Sequence, residues 1–287
     1  MFDGLRESIV DDIIRIFESY FTNIDDIFEL AKASPSDALA DFPSTELWHT
    51  STSIANSIGL GIASSLIALF LLFELASMFN RSDTKGWDGL YWILMAFLKV
   101  AVMVTLCKNM TLIIDICFQI GADVVNDIGS AGIFGTSGSI EIPSWTEAIR
   151  ESFKEMDFIG ACSTWLFVQI CSIVNSGCLL LVRVICQLRF IEIYVFVAIA
   201  PLPFCTFISK EYRNIGIAYV KRMLALALQG ALIALVCYLY LTIFDFTFQN
   251  YRFDGVGSFV YLLGFSVLLV VAVMQTGGWS KSLVQTH

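Results

Sequence analysis

The chain of 287 residues is 57% hydrophobic and only 15% charged, with a mean hydropathy of +0.75. Soluble domains carry roughly a quarter charged residues, so water is excluded as the main solvent. A net charge of −9 also argues against a protein whose whole surface binds nucleic acid, because phosphate contacts dominate that affinity.

Residues 1–32 place Phe2, Leu5, Ile9, Ile13, Phe17, Tyr20, Ile24, Ile27 and Phe28 at steps of three and four, the period of an amphipathic helix, with a break expected near Asn23. The opening MFDGLRESIVDD is acidic and lacks the basic-then-apolar order of a secretory signal, so the amino terminus is expected to be retained. Eight acids face three bases (Arg6, Arg15, Lys32), which favours docking on protein over anchoring to anionic lipid. A linker, 33–53, follows; Pro35 and Pro43 lie in it and end the helix.

A hydrocarbon layer of roughly 30 Å takes about 20 helical residues. Ile54–Phe73, Phe158–Val182, Met223–Phe244 and Val256–Gly278 meet that length without any Asp, Glu, Lys or Arg. Leu90–Leu106 qualifies despite Lys99, and Phe190–Ser209 despite Glu192. The expected fold is therefore all-α: a polytopic transmembrane bundle of about six spans with an N-terminal amphipathic helix. Its expected parts are a first transmembrane pair with a short helical extension at 54–125, a Gly-rich loop and acidic surface helix at 126–157, a four-span bundle at 158–278 and a tail at 279–287.

The first span repeats small residues every four positions, Ala55, Gly59 and Ala63 on one stripe and Ser57, Gly61 and Ser65 on the next. Such stripes serve close helix packing within a chain or between subunits. Met110–Val125 is apolar but carries Asp115 and Asp123; it either prolongs the second helix or re-enters the bilayer. Gly129, Gly132, Gly135 and Gly138 do not match a phosphate-cradling motif and read as a mobile loop, and 144–157 reads as a short acidic amphipathic helix.

Charge divides unevenly, 22 acids and 9 bases (net −13) in residues 1–158 against 4 acids and 8 bases (net +4) in 159–287, so the halves face different environments. For six spans, the positive-inside rule gives 11 basic residues against 5 for a cytoplasmic amino terminus, although the acidic loop to residue 157 suits an exterior. Lys210, Arg213, Lys221 and Arg222 are the firmest cytoplasmic marker.

Intramembrane charge is costly, so Lys99 snorkels to an interface, lines a polar pathway or pairs with an acid such as Glu74. Arg189 and Glu192 stand three apart and are expected to pair, fixing the rotation of their helix. Pro201 and Pro203, after Ala200, delete backbone donors and should kink or end that helix, shaping a pore, a hinge or simply a bundle. The eight cysteines form no CxxC pair and read as reduced, buried thiols. With only His49 and His287, neither a catalytic constellation nor a metal or cofactor site is expected.

The run RFIEIYVFVAIAPLPFCTF (Arg189–Phe207), a short basic loop, then YVKRMLALALQGALIAL (Tyr219–Leu235) resembles the TrbL/VirB-type polytopic membrane subunits of conjugative and type IV secretion machines, over roughly 160–280. The resemblance implies a non-enzymatic channel component of a bacterial cytoplasmic membrane. It implies rings of copies, working with cytoplasmic ATPases and other channel subunits, surrounded by lipid, and moving protein or DNA with at most transient single-stranded DNA contact and no small-molecule substrate. On the matching positions it assigns helix geometry to Ala200, Pro201 and Pro203, and a basic start and polar interruption serving subunit contact to Lys221, Arg222 and Gln229. The alternative from the residues alone is a secondary transporter or small-solute channel with a midplane site near the proline-broken span, although no repeat relates the two halves.

Overall fold

The computed structural model describes residues 2–39, 42–79, 87–130, 150, 151, 153, 158–250 and 256–285. Among these there is no strand; a single bridge joins Leu39 and Phe42. The helices are α1 (Phe2–Lys32), α2 (Ser44–Ile58), a π-helical turn (Gly59–Ala63), α3 (Ser64–Phe79), α4 (Trp87–Lys108), α5 (Met110–Ser130), α6 (Phe158–Ile199), α7 (Pro201–Cys205), a 3₁₀ turn (Thr206–Ile208), α8 (Arg213–Asn250) and α9 (Val256–Gln285). The expected glycine loop falls largely outside the described residues, as does most of the short helix at 144–157.

Four of these stretches are long and apolar enough to cross a membrane, Ser44–Ser77, Ile159–Ile199, Arg213–Ile243 and Leu263–Val284. The bent pair Ile93–Lys108 and Met110–Asp127 makes a fifth if taken as one broken span. The chain is thus an all-helical, multi-pass membrane protein. The count differs from six because Phe158–Val182 and the part of Phe190–Ser209 up to Ile199 are joined in α6, a single helix of 42 residues. Arg183 and Arg189 resemble a loop by charge, but the intervening residues include no Gly or Pro, so the helix continues. Met110–Val125 sits in α5, turned by 63° from α4. At the bend Asn109 bonds its side-chain amide to the carbonyl of Thr105 at 2.9 Å, the competition with the backbone that makes asparagine a helix interrupter.

Two compact units share the chain. One comprises residues 1–33, 121–188 and 229–280. In it α1 buries Ile13, Phe17, Tyr20, Ile24, Ile27 and Phe28 of its predicted apolar stripe, and Phe21 beside them. The helix is unbroken at Asn23, whose amide bonds back to the carbonyl of Ser19 at 2.7 Å while Thr22 bonds to that of Glu18 at 2.9 Å. α1 stops before Pro35, which disfavours the helical region for the residue ahead of it.

The other unit comprises residues 34–120, 189–228 and 281–287. Its core gathers Ala55, Met110, Ile114, Phe118, Ile193, Val197, Phe204, Tyr219, Met223 and Leu226. Residues 35–39 are tied down locally: Ser44 Oγ donates to the carbonyl of Asp37 and accepts from the amide of Leu39, and Tyr194 donates to the carbonyl of Pro35 at 3.1 Å. Helix α2 then starts at Ser44, within the expected linker.

Candidate functional site

The second unit holds the helix break. α6 ends at Ile199, and Pro201, the first residue of α7, restarts the helix where its missing N–H would have no partner anyway. Ala200 and Pro201 are buried. α7 packs on the π-helical turn that Gly59 opens and Ala63 closes. A π turn widens the helix and loosens its carbonyls. Here the thiol of Cys205 reaches Ala63 O at 3.5 Å as well as Pro201 O at 2.9 Å. Ala55 and Ala63 are fully buried within the chain itself, whereas Ser57, Gly61 and Ser65 are exposed.

Rings fill the other side of the break. Phe204 packs edge-on against Tyr219 at 5.6 Å and tilted against Phe207 at 6.1 Å. Tyr219 donates to the carbonyl of Phe196 at 2.9 Å. Gly216 is required there, since a Cβ on it would stand 2.6 Å from the Phe207 ring.

Two ion pairs join helices of this unit. Lys99 on α4 meets Glu74 on α3 at 3.2 Å, one of the arrangements open to it from sequence. Glu192 does not pair with Arg189 as expected; it forms a close ion pair with Arg222 on α8. Arg222 on the neighbouring helix reaches Glu192, while the Arg189 guanidinium lies over the Phe190 ring at 5.2 Å. Arg222 also lies over Phe196 at 5.7 Å, so its charge is held by a carboxylate and a ring face together. Lys221 beside it is half-buried.

In the first unit, Gln229 lies against Gly277, its amide nitrogen 3.4 Å from where a Cβ would stand. The unit has a polar feature absent from the sequence expectations. The Tyr20 hydroxyl is hydrogen-bonded to that of Tyr240 and, at 3.0 Å, to Ser266, all buried. Asp11 pairs with Arg150 at 2.7 Å and Asp26 with Arg183 at 3.2 Å. Burial, with the charges of Asp26 and Glu29 beside it, pushes the Asp25 carboxyl up to about 6. Between α1 and the first half of α6 lies a cavity of about 460 Å³, edged by Asp12, Arg15, Ser19, Asn23, Gln169 and Asn175. The only signal for it was a run of uncharged polar residues, Gln169, Ser172, Asn175 and Ser176, inside a span.

These contacts join helices and set their rotation; their chemistry is that of ion pairs, stacked guanidinium groups and hydrogen-bonded phenols. Comparisons with curated proteins and with solved structures returned no match. A family model, described as TrbL/VirB6 plasmid conjugal transfer like protein, matches residues 34–201. That segment includes the Ala55–Ala63 stripe, the Lys99–Glu74 pair, Arg189, Glu192 and the break as far as Pro201, and stops short of Pro203, Lys221, Arg222 and Gln229. Since it takes in more than half of the 287 residues, the chain belongs to the TrbL/VirB6 plasmid conjugal transfer like family.

Proposed function

We propose that this chain is a non-enzymatic subunit of the translocation channel of a conjugative or type IV secretion machine, embedded in a bacterial cytoplasmic membrane. It works as a ring of copies beside cytoplasmic ATPases and other channel subunits, and helps to move DNA or protein out of the cell. The observation that carries this reading is the family match over residues 34–201 on a chain with four helices long and apolar enough to cross a membrane.

Two features support it. Outward apolar side chains on three helices, among them Leu94, Phe97, Leu166, Ile173, Val271 and Met274, suit lipid or neighbouring subunits. In the second unit Lys99, Glu74, Glu192, Arg222 and Tyr219 are engaged in contacts between its helices, which suits a scaffold. The transporter reading is weaker, because the proline break on which it placed a midplane site is packed by Phe204, Phe207 and Tyr219.

The test is an in-frame deletion of the gene in cells that keep its neighbours, scored for transfer of a marked plasmid or a reporter protein to a recipient. Loss of transfer, restored by a copy supplied in trans, is the expected result. Undiminished transfer by the deletion strain overturns the reading.

A further inference from the structure

Two of the eight cysteines meet at the helix break. Cys205 closes α7 and is fully buried, in a cluster with Ala63, Ile67, Phe70 and Ile208. Cys107 packs against the same cluster from the last turn of α4, and the two thiols are in hydrogen-bond contact.

The pair is asymmetric. Cys107 is half-buried, and the exposed Lys108 and Asn109 follow it, so this thiol stands at the polar end of its helix. Cys205 lies in apolar surroundings, where its thiol donates to the carbonyls of Pro201 at 2.9 Å and Ala63 at 3.5 Å. A dissolved reagent therefore reaches Cys205 only by way of Cys107. Cys186 and Cys237 also lie near one another, but both are fully buried, which closes them to such a reagent.

Both members of the first pair sit beside backbone breaks. Cys107 comes two residues before Asn109, where α4 turns by 63° into α5, and Cys205 ends the short helix that Pro201 restarts. Neither is in mid-helix, so the approach needed for a sulfur–sulfur bond of about 2 Å does not deform a continuous helix.

We propose that Cys107 and Cys205 form a dithiol site for exchange with a small dissolved disulfide, and that the bond so formed locks the α4–α5 bend to the proline break. The Cys107 thiolate attacks one sulfur of the small disulfide, releases its other half and keeps a mixed disulfide. The Cys205 sulfur then attacks that of Cys107 and expels the second half. The protein gives up two electrons and two protons, and the small disulfide takes both and leaves as two thiols. Bonding also removes the thiol hydrogen that Pro201 and Ala63 share. The site does not depend on the translocation reading.

The test treats the full chain in lipid nanodiscs with glutathione disulfide and maps its peptides by mass. The parent chain should yield a Cys107–Cys205 linked peptide, which dithiothreitol reverses. Cys205→Ser should stop at the first step and keep glutathione on Cys107, whereas Cys107→Ser should leave Cys205 unmodified. In the linked parent chain, amide exchange over residues 201–208 should slow roughly tenfold or more, because a cross-link between segments far apart in sequence restricts local opening.

Glutathione that stays on Cys107 of the parent chain, with no linked peptide, overturns the pairing, and an unreactive Cys107 overturns the site. A glutathione adduct on Cys205 in Cys107→Ser overturns the order of attack. Unchanged exchange over 201–208 in the linked chain overturns the lock. None of these outcomes bears on transfer by the deletion strain, through which the translocation reading fails separately.

Discussion

Substituting Glu74 by glutamine tests how the membrane tolerates Lys99. The Glu74 side chain is 10% exposed and that of Lys99 41%, with 3.2 Å between their charged atoms. Breaking a buried pair costs about 3–5 kcal/mol, and a lone lysine at a helix centre about 2.5–3.5 kcal/mol on insertion scales. Lys99 is two-fifths exposed and long enough to snorkel, so roughly half of this is expected, about 2 kcal/mol for Glu74→Gln. Lys99→Met alone should cost a similar amount, because it leaves the carboxylate of Glu74 behind. The double variant replaces the pair by neutral groups of similar size and should lose only about 1 kcal/mol, giving a coupling of about 2–3 kcal/mol. The assay is reversible unfolding in mixed micelles by increasing SDS fraction, followed by helical circular dichroism. Single losses that add in the double variant to within about 0.5 kcal/mol would show that the two charges do not depend on one another, and would refute the reasoning.

Gly216→Ala should destabilise the break by about 1–3 kcal/mol, because its Cβ meets the Phe207 ring; Phe207→Leu in the same chain should recover most of the loss in the same unfolding assay. Tyr20→Phe removes the hydroxyl shared by Tyr240 and Ser266 and should cost about 1–3 kcal/mol, seen as faster proteolysis of the amino terminus. Asp25 binds its proton more tightly folded, at about 6, than at the ordinary 3.8, so stability falls as pH rises between these values and is level above. Asp25→Asn should remove that slope, matching the parent near pH 4 and exceeding it by about 1 kcal/mol above pH 7, a value reduced for the partial exposure of the group. A thermal unfolding series across this range checks it.

Uncharged runs made the spans legible, because a helix that satisfies its own backbone is the simplest way for such a run to cross lipid. The same logic failed between Val182 and Phe190. Arg183 looked like a loop residue, yet Asp26 meets it and nothing nearby breaks a helix. Lys99 was readable as a charge in need of a partner, and Glu74 was near enough in the chain to name. Glu192 was misassigned because sequence spacing sees only its own helix, whereas Arg222 arrives from α8. The Tyr20–Tyr240–Ser266 group was invisible, since its members lie more than 200 positions apart across Tyr20 and carry no formal charge. Asn175 was hidden for the latter reason: one amide inside a span hardly changes its hydropathy.

The most direct measurement is the mass of the gently solubilised complex, with its partners identified, from cells carrying the intact neighbouring genes. A ring of several copies bound to a cytoplasmic ATPase is the predicted result. A lone monomer or dimer without such a partner would contradict the channel-subunit account.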